Sequence, residues 1–201
     1  MQYAWMRYET AFAPGDALER LRDDSFQVMA RHGGTVWGVW TAIFGMASNE
    51  LVVVTAWPDA ASPVATLQDA LPDGFRIVAS YELAPTVRPT SADPVTRAGI
   101  YVHRFFRTRE KHMQEIVDLS VEAWKTFATD DEYGTEQIAF FRPRARASDG
   151  ETPGEMLLIS WYPDFANWER SRNFPPEAGA LFRRRAERVD SMLPFAMRLL
   201  T

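Results

Sequence analysis

The sequence predicts an α+β fold built twice over, and three observations carry that prediction. The order strand-helix-strand-strand-helix-strand can be read in each half. An apolar strand closed by Pro-Asp, Leu51-Val52-Val53-Val54-Thr55-Ala56-Trp57-Pro58-Asp59, recurs as Met156-Leu157-Leu158-Ile159-Ser160-Trp161-Tyr162-Pro163-Asp164. Between the copies lies a stretch with Pro85, Pro89, Pro94 and small polar residues, which reads as a linker. The expected division is a ferredoxin-like βαββαβ half over residues 1–84, a linker over 85–98 and a second such half over 99–201.

The elements follow in order. Residues 3–12 are aromatic and alternating, as a half-buried strand should be. Pro14-Gly15-Asp16 opens a helix carrying Leu18, Leu21, Ser25 and Val28 at helical spacing, and Gly33-Gly34 stops it. Strands are expected over 35–44 and 51–57, with a turn over 45–49 between them. Ser62-Pro63 supplies an N-cap and first-turn proline for a short helix to Leu71. Pro72-Asp73-Gly74 then turns the chain into a strand over 75–83.

The second half repeats this with a strand over 100–107 and a helix over 112–129. That helix carries Met113, Ile116, Val117, Ser120, Trp124 and Phe127 on one stripe, so Trp124 reads as core. Strands follow over 136–142 and 156–162, then a helix over 177–192 ended near Pro194, then a strand over 195–200. Arg183, Arg184, Arg185 and Arg188, interleaved with Glu187 and Asp190, read as a solvated helix face. The second copy is longer, and its excess falls in the polar stretch 142–154, where insertions cost little. Met6-Arg7-Tyr8 resembles His103-Arg104-Phe105.

Composition removes several classes of function. The net charge of −5 argues against a protein that tracks nucleic-acid phosphates. The absence of Cys removes thiolate catalysis, Cys-ligated metals and disulfides together. No His, Asp and Glu grouping has metal-ligand spacing, so no metal is expected. There is no nucleotide-binding glycine motif and no G-x-S-x-G elbow. The N-terminus has no basic-then-apolar leader, and no apolar run is long enough to span a bilayer. The expectation is a cytoplasmic protein, off the membrane, monomeric or homodimeric, whose partner is a small organic ligand.

Gly38-Val39-Trp40-Thr41-Ala42-Ile43-Phe44-Gly45, followed by Asn49-Glu50-Leu51-Val52-Val53-Val54-Thr55-Ala56-Trp57, resembles the strand-turn-strand signature of NIPSNAP proteins. Arg7-Tyr8 followed by Pro14-Gly15 is similar to that family's opening strand and turn. The resemblance implies the dimeric α+β barrel superfamily, here with both halves in one chain. It also implies two sheets facing each other across a shared pocket. The family usually has arginines just after the third strand. The first copy has Ala60-Ala61-Ser62-Pro63 there, while the second has Arg170 and Arg172 after Trp168. The wider superfamily includes cofactor-free oxygenases of aromatic polyketides, haem-degrading oxygenases, small cyclases and pure binding modules.

Candidate site residues come from charges and rings placed in strands. Arg7 and Arg104 sit mid-strand in apolar surroundings, where a guanidinium is costly unless it is paired or faces a pocket. Two such groups would suit a carboxylate, phenolate or propionate. Trp5 shares a strand face with Arg7, and Trp57 and Trp161 close the matched strands. Trp5, Arg7, Trp40, Trp57, Arg104 and Trp161 are therefore the expected contacts of an anionic aromatic or acyl ligand held between the sheets. His103 is the candidate general base or haem ligand, and alternation sends it to the face opposite Arg104. No cofactor is called for by these residues, and haem is left open. Two functions fit: a NIPSNAP-like binding protein without chemistry, or a cofactor-poor or haem-dependent monooxygenase or small cyclase acting on an aromatic substrate.

Overall fold

The computed structural model describes residues 1–128, 133–145 and 149–200, with the side chains of 126–128 outside that description. Thr129, expected to end a helix, and the Phe127 side chain on its stripe lie outside the described residues. The element order is β1 (Gln2–Thr10), α1 (Pro14–Asp23), α2 (Ser25–Arg31), β2 (Thr35–Phe44), β3 (Glu50–Trp57), α3 (Pro63–Asp69), β4 (Phe75–Arg88), β5 (Ile100–Arg109), α4 (Met113–Ala128), β6 (Glu136–Pro143), β7 (Pro153–Tyr162), α5 (Phe165–Arg170), α6 (Pro176–Ala186) and β8 (Ser191–Leu199). This is an α+β fold whose strands pair antiparallel.

Two compact units make up the chain. The first comprises Met1–Pro85, Thr90–Ala98 and Phe195–Thr201, and the second comprises Thr86–Pro89 and Gly99–Pro194. The sequence-based division differs at both ends. Residues 90–98 belong to the first unit because they pack on it: Val95 N–H donates to Trp37 C=O at 2.7 Å, and Tyr3 Oη donates to Ser91 C=O at 2.9 Å. Residues 195–200 belong there because β8 runs antiparallel to β2, pairing Leu199 with Trp40 and Met197 with Ala42.

In the first unit, β3 pairs with β1 on one side and β2 on the other, and β1 also pairs with β4. Alternation sorts the strand residues. Ala4, Met6 and Tyr8 of β1 and Leu51, Val53 and Trp57 of β3 share a core with Leu18, Leu21, Met29 and Leu67 of the helices. Each fully buried side chain of this size contributes about 1.5–3 kcal/mol, which is why the alternation fixes the register. Tyr3, Trp5 and Arg7 point to the other face. Asp24 interrupts the expected single helix, splitting it into α1 and α2.

In the second unit, β7 pairs with β5 and β6. Phe106, Phe140, Met156 and Leu158 pack against Met113, Ile116 and Val117 of α4. A second small cluster joins Ala123 of α4, Tyr133, and Ala178, Leu181 and Phe182 of α6. Pro163-Asp164, expected as a strand breaker, also starts α5, because Asp164 Oδ1 accepts from Asn167 N–H at 2.8 Å. The helix expected over 177–192 ends at Ala186, and β8 begins at Ser191 with Pro194 inside it.

Candidate functional site

The registers settle how the copies correspond. Val53 pairs with Met6, and Leu158, its counterpart in the repeated apolar strand, pairs with Arg104. Arg104 thus occupies the place of Met6, and Arg7 the place of Phe105. The expected match of Arg7 with Arg104 is one residue out, and in a strand one residue means the opposite face. Arg7 and Arg104 do not form the expected symmetric pair.

Arg7 lies beside an acid. Its Nε is 3.8 Å from Glu50 Oε1, an ion pair longer than a hydrogen bond, and its guanidinium carbon is 5.6 Å from the centre of the Phe195 ring. Glu50 is 8% exposed and also accepts from Ala47 N–H at 3.1 Å. Trp5 is buried against Tyr81 and Phe195. Trp40 is fully buried on Trp37, and a Cβ at Gly38 would lie 2.2 Å from its ring. Trp57 joins the helix-facing core, with Nε1 donating to Thr55 Oγ1 at 2.7 Å. Trp161 is half-buried and packs against Gly99, where a Cβ would meet its Nε1 at 2.4 Å.

Arg104 shares the helix-facing side of β5 with Phe106 and lines a cavity of about 190 Å³ within the second unit. It does not face away from its helices, as the expected pocket between sheets required. The cavity floor is the sheet: Arg104, Leu158, Ser160 and Tyr162, with Gln137 of β6 and Thr135 just before that strand. Trp124 of α4 and Phe182 and Arg185 of α6 form the helical wall. Ser171, Arg172 and Phe174, after α5, border the remaining side. Phe174 and Phe182 meet edge to face at 5.0 Å.

Three guanidiniums therefore converge: Arg104, Arg172 and Arg185. Among the described residues, no carboxylate forms an ion pair with any of them. Arg185 is 8% exposed. Its Nη1 donates to Ser120 Oγ at 3.1 Å, and its guanidinium lies 5.0 Å from the Phe106 ring centre and 4.7 Å from that of Phe182. Arg172 is exposed, donates to Ser171 Oγ at 3.2 Å and lies 5.3 Å over Trp168.

The electrostatics follow from burial. Burial pushes Arg185 down to about 9, and the charges of Arg104 and Arg172 push the same way. Burial also lowers Arg104, Tyr162 partly offsets this, and Arg172 adds to it. At neutral pH the groups remain charged. A buried cation without an acid leaves a strong local demand for an anion.

His103 sits on the opposite side of β5 with no exposed surface. Burial drives it down to about 3, so it is neutral at physiological pH. Of the seven expected site residues, Arg104 alone lines this cavity. The sequence reading missed Arg172 and Arg185 as site residues and placed Arg185 on a solvated face. Arg183 and Arg184 are exposed as expected, whereas Arg185 continues the inward-facing row of buried Ala178 and half-buried Phe182 at helical spacing. That spacing was the available signal.

No family model matches the chain, and no curated protein matches it. Solved structures do. An anthrone oxidase-like protein matches at 11% identity, covering 100% of this chain and 92% of the other, with a TM-score of 0.58. A haem-binding protein from Thermus thermophilus matches at 13% identity, covering 100% and 91%, with a TM-score of 0.59. A ferredoxin-fold protein related to antibiotic biosynthesis monooxygenases, from Listeria monocytogenes, matches at 11% identity, covering 100% and 95%, with a TM-score of 0.52. Over its whole length the chain shares the ferredoxin-like α+β fold of these solved structures. No helix among the described residues is long and apolar enough to cross a membrane.

The haem of one neighbour can be tested against this cavity. An apolar cavity of about 150 Å³ takes a single benzene ring. The 190 Å³ space is of that order, far below what a tetrapyrrole needs. The candidate iron ligand, His103, lies on the other sheet face and is fully enclosed. The described cavity does not fit haem.

Proposed function

We propose that this chain is a NIPSNAP-like small-molecule-binding protein whose second unit holds an organic anion. The observation that carries this is the convergence of Arg104, Arg172 and Arg185 on one cavity, with no ion-paired carboxylate among the described residues. Arginine forks suit carboxylates and phosphates, because two parallel N–H bonds match the spacing of two oxygens. Trp124, Phe174 and Phe182 add flat apolar walls, so a small aromatic acid fits better than a bare inorganic ion. Binding places the acid group against Arg104 and Arg185 and removes the ring from water. Native mass spectrometry of the purified protein would reveal a retained ligand. Benzoate should raise Tm above an equal concentration of chloride, since a ligand of the folded state alone stabilises it. Arg104→Met should abolish that rise. An unchanged rise in Arg104→Met would overturn the assignment of the site.

The neighbours named for oxidase and monooxygenase chemistry favour a second reading, in which a bound aromatic is oxidised. In that reading the arginines hold a phenolate and stabilise its negative charge while the walls exclude water. Oxygen uptake on adding a polyphenol or anthrone separates the two. Uptake that Arg104→Met removes supports oxidation, and binding without uptake supports a binding protein.

A further inference from the structure

The three arginines differ in depth, and the difference bears on how many charges the ligand carries. Arg185 is 8% exposed and reaches Ser120 on α4, and Arg104 is half-buried on the sheet. Arg172 is exposed, on the segment that follows α5, steadied by the Ser171 hydroxyl and the Trp168 ring. The cluster thus has an inner pair and an outer single cation.

Resting on the reading that this cavity binds an organic anion, we propose that its ligand is a small aromatic dicarboxylate. One carboxylate is seated between Arg104 and Arg185, and the second meets Arg172 at the mouth. Charge matching is the first reason. A monoanion leaves two of the three guanidinium charges unmatched, and a dianion leaves one. Each guanidinium opposes the others at close quarters, so the second negative charge is worth most in the partly dehydrated space between them. Size is the second reason, because about 190 Å³ admits one ring and its substituents. The third is the wall: Trp124 and Phe182 line the cavity with aromatic side chains, suited to a planar apolar skeleton. The two carboxylates must be separate groups, because Arg172 is at the surface while Arg185 is enclosed.

The test is calorimetric titration at constant ionic strength with three probes: benzoate, isophthalate and phenyl phosphate. Isophthalate should bind the wild-type protein about tenfold more tightly than benzoate, in keeping with one added hydrogen-bonded charge. Arg172→Met, at an exposed position, should bring isophthalate down to about the wild-type benzoate level and weaken benzoate far less than it weakens isophthalate. Arg172→Lys should recover part of the isophthalate preference. Equal affinity for benzoate and isophthalate, or equal weakening of both in Arg172→Met, overturns the dicarboxylate and leaves a monoanion site. Tightest binding by phenyl phosphate, insensitive to Arg172→Met, also overturns it, because both charges then sit on one inner group. Failure of all three probes to bind the wild-type protein overturns the anion reading itself.

Discussion

Replacing Arg185 with Met is the most informative single perturbation, because two accounts of a buried arginine give different stabilities. Met keeps much of the side chain's length and removes the charge. The displacement of Arg185 from the ordinary guanidinium range down to about 9, caused first by burial and then by Arg104 and Arg172, corresponds to about 5 kcal/mol set against the charged form. Opposing this is the hydrogen bond to Ser120 at 3.1 Å, worth about 1.5–3 kcal/mol for a charged donor. The contacts with Phe106 and Phe182 add about 0.5–2 kcal/mol each. The favourable and unfavourable contributions nearly cancel, so without ligand Arg185→Met should leave stability within about 2 kcal/mol of the parent. Had Arg185 a buried acid partner, its removal would cost about 3–5 kcal/mol. The pH of the experiment matters. The folded value lies below the unfolded one, so the penalty is present in full below about pH 9 and is relieved as pH rises from there toward the ordinary guanidinium range. Urea unfolding at pH 7 in a chloride buffer therefore reads the whole effect. A loss of 3 kcal/mol or more at unchanged m would refute the reasoning, and benzoate binding that survives the substitution would refute the role of Arg185 in the site.

Three further outcomes follow from other positions. His103 is neutral and enclosed with its value driven to about 3, so the unfolded chain takes up a proton below about pH 6.5 that the folded chain does not; stability should fall toward pH 3 at up to about 1.4 kcal/mol per pH unit. Urea unfolding at pH 7 and pH 5 should show that slope reduced in His103→Gln, and equal slopes would count against a neutral buried imidazole. Arg7→Met takes the ion-pair partner from the nearly buried Glu50, which keeps its bond from Ala47, and should cost about 1–3 kcal/mol in chemical denaturation. Adding Glu50→Gln should recover part of that loss, and a stability unchanged in Arg7→Met would show that the 3.8 Å pair contributes nothing. Gly38→Ala puts a methyl group 2.2 Å from the enclosed Trp40 ring and should lower stability by about 1–3 kcal/mol, with a neutral result in thermal unfolding showing that the ring can move aside.

Much of the fold was legible from local pattern. Alternation, Pro-Asp punctuation and the helical stripe of α4 are properties of neighbouring residues, so they survive in the sequence alone. Boundaries were less legible. β4 runs on to Arg88, through residues read as linker, because Thr86 Oγ1 donates to Phe140 C=O at 2.7 Å and Arg88 donates to Gln137 C=O at 3.0 Å. Those partners lie about fifty residues away, beyond any window of local propensity. The helix α6 stops at Ala186, not 192, because the chain from 191 onward pairs as a strand.

By itself the sequence determined an α+β chain written twice, an aromatic-rich core and the cost of placing arginine in a strand. Tertiary structure alone decided which face each arginine meets. The registers of β1 on β3 and of β5 on β7 put Arg7 opposite Val52 beside an acid, and put Arg104 opposite Leu158 under the helices. A side chain's face reverses with every residue, so a one-residue uncertainty in matching the copies, harmless to the fold, was enough to misplace the site. Arg172 and Arg185 come to Arg104 from segments 68 and 81 residues further along the chain. Their convergence depends on packing α6 against the sheet, and packing joins residues by distance in space rather than along the sequence.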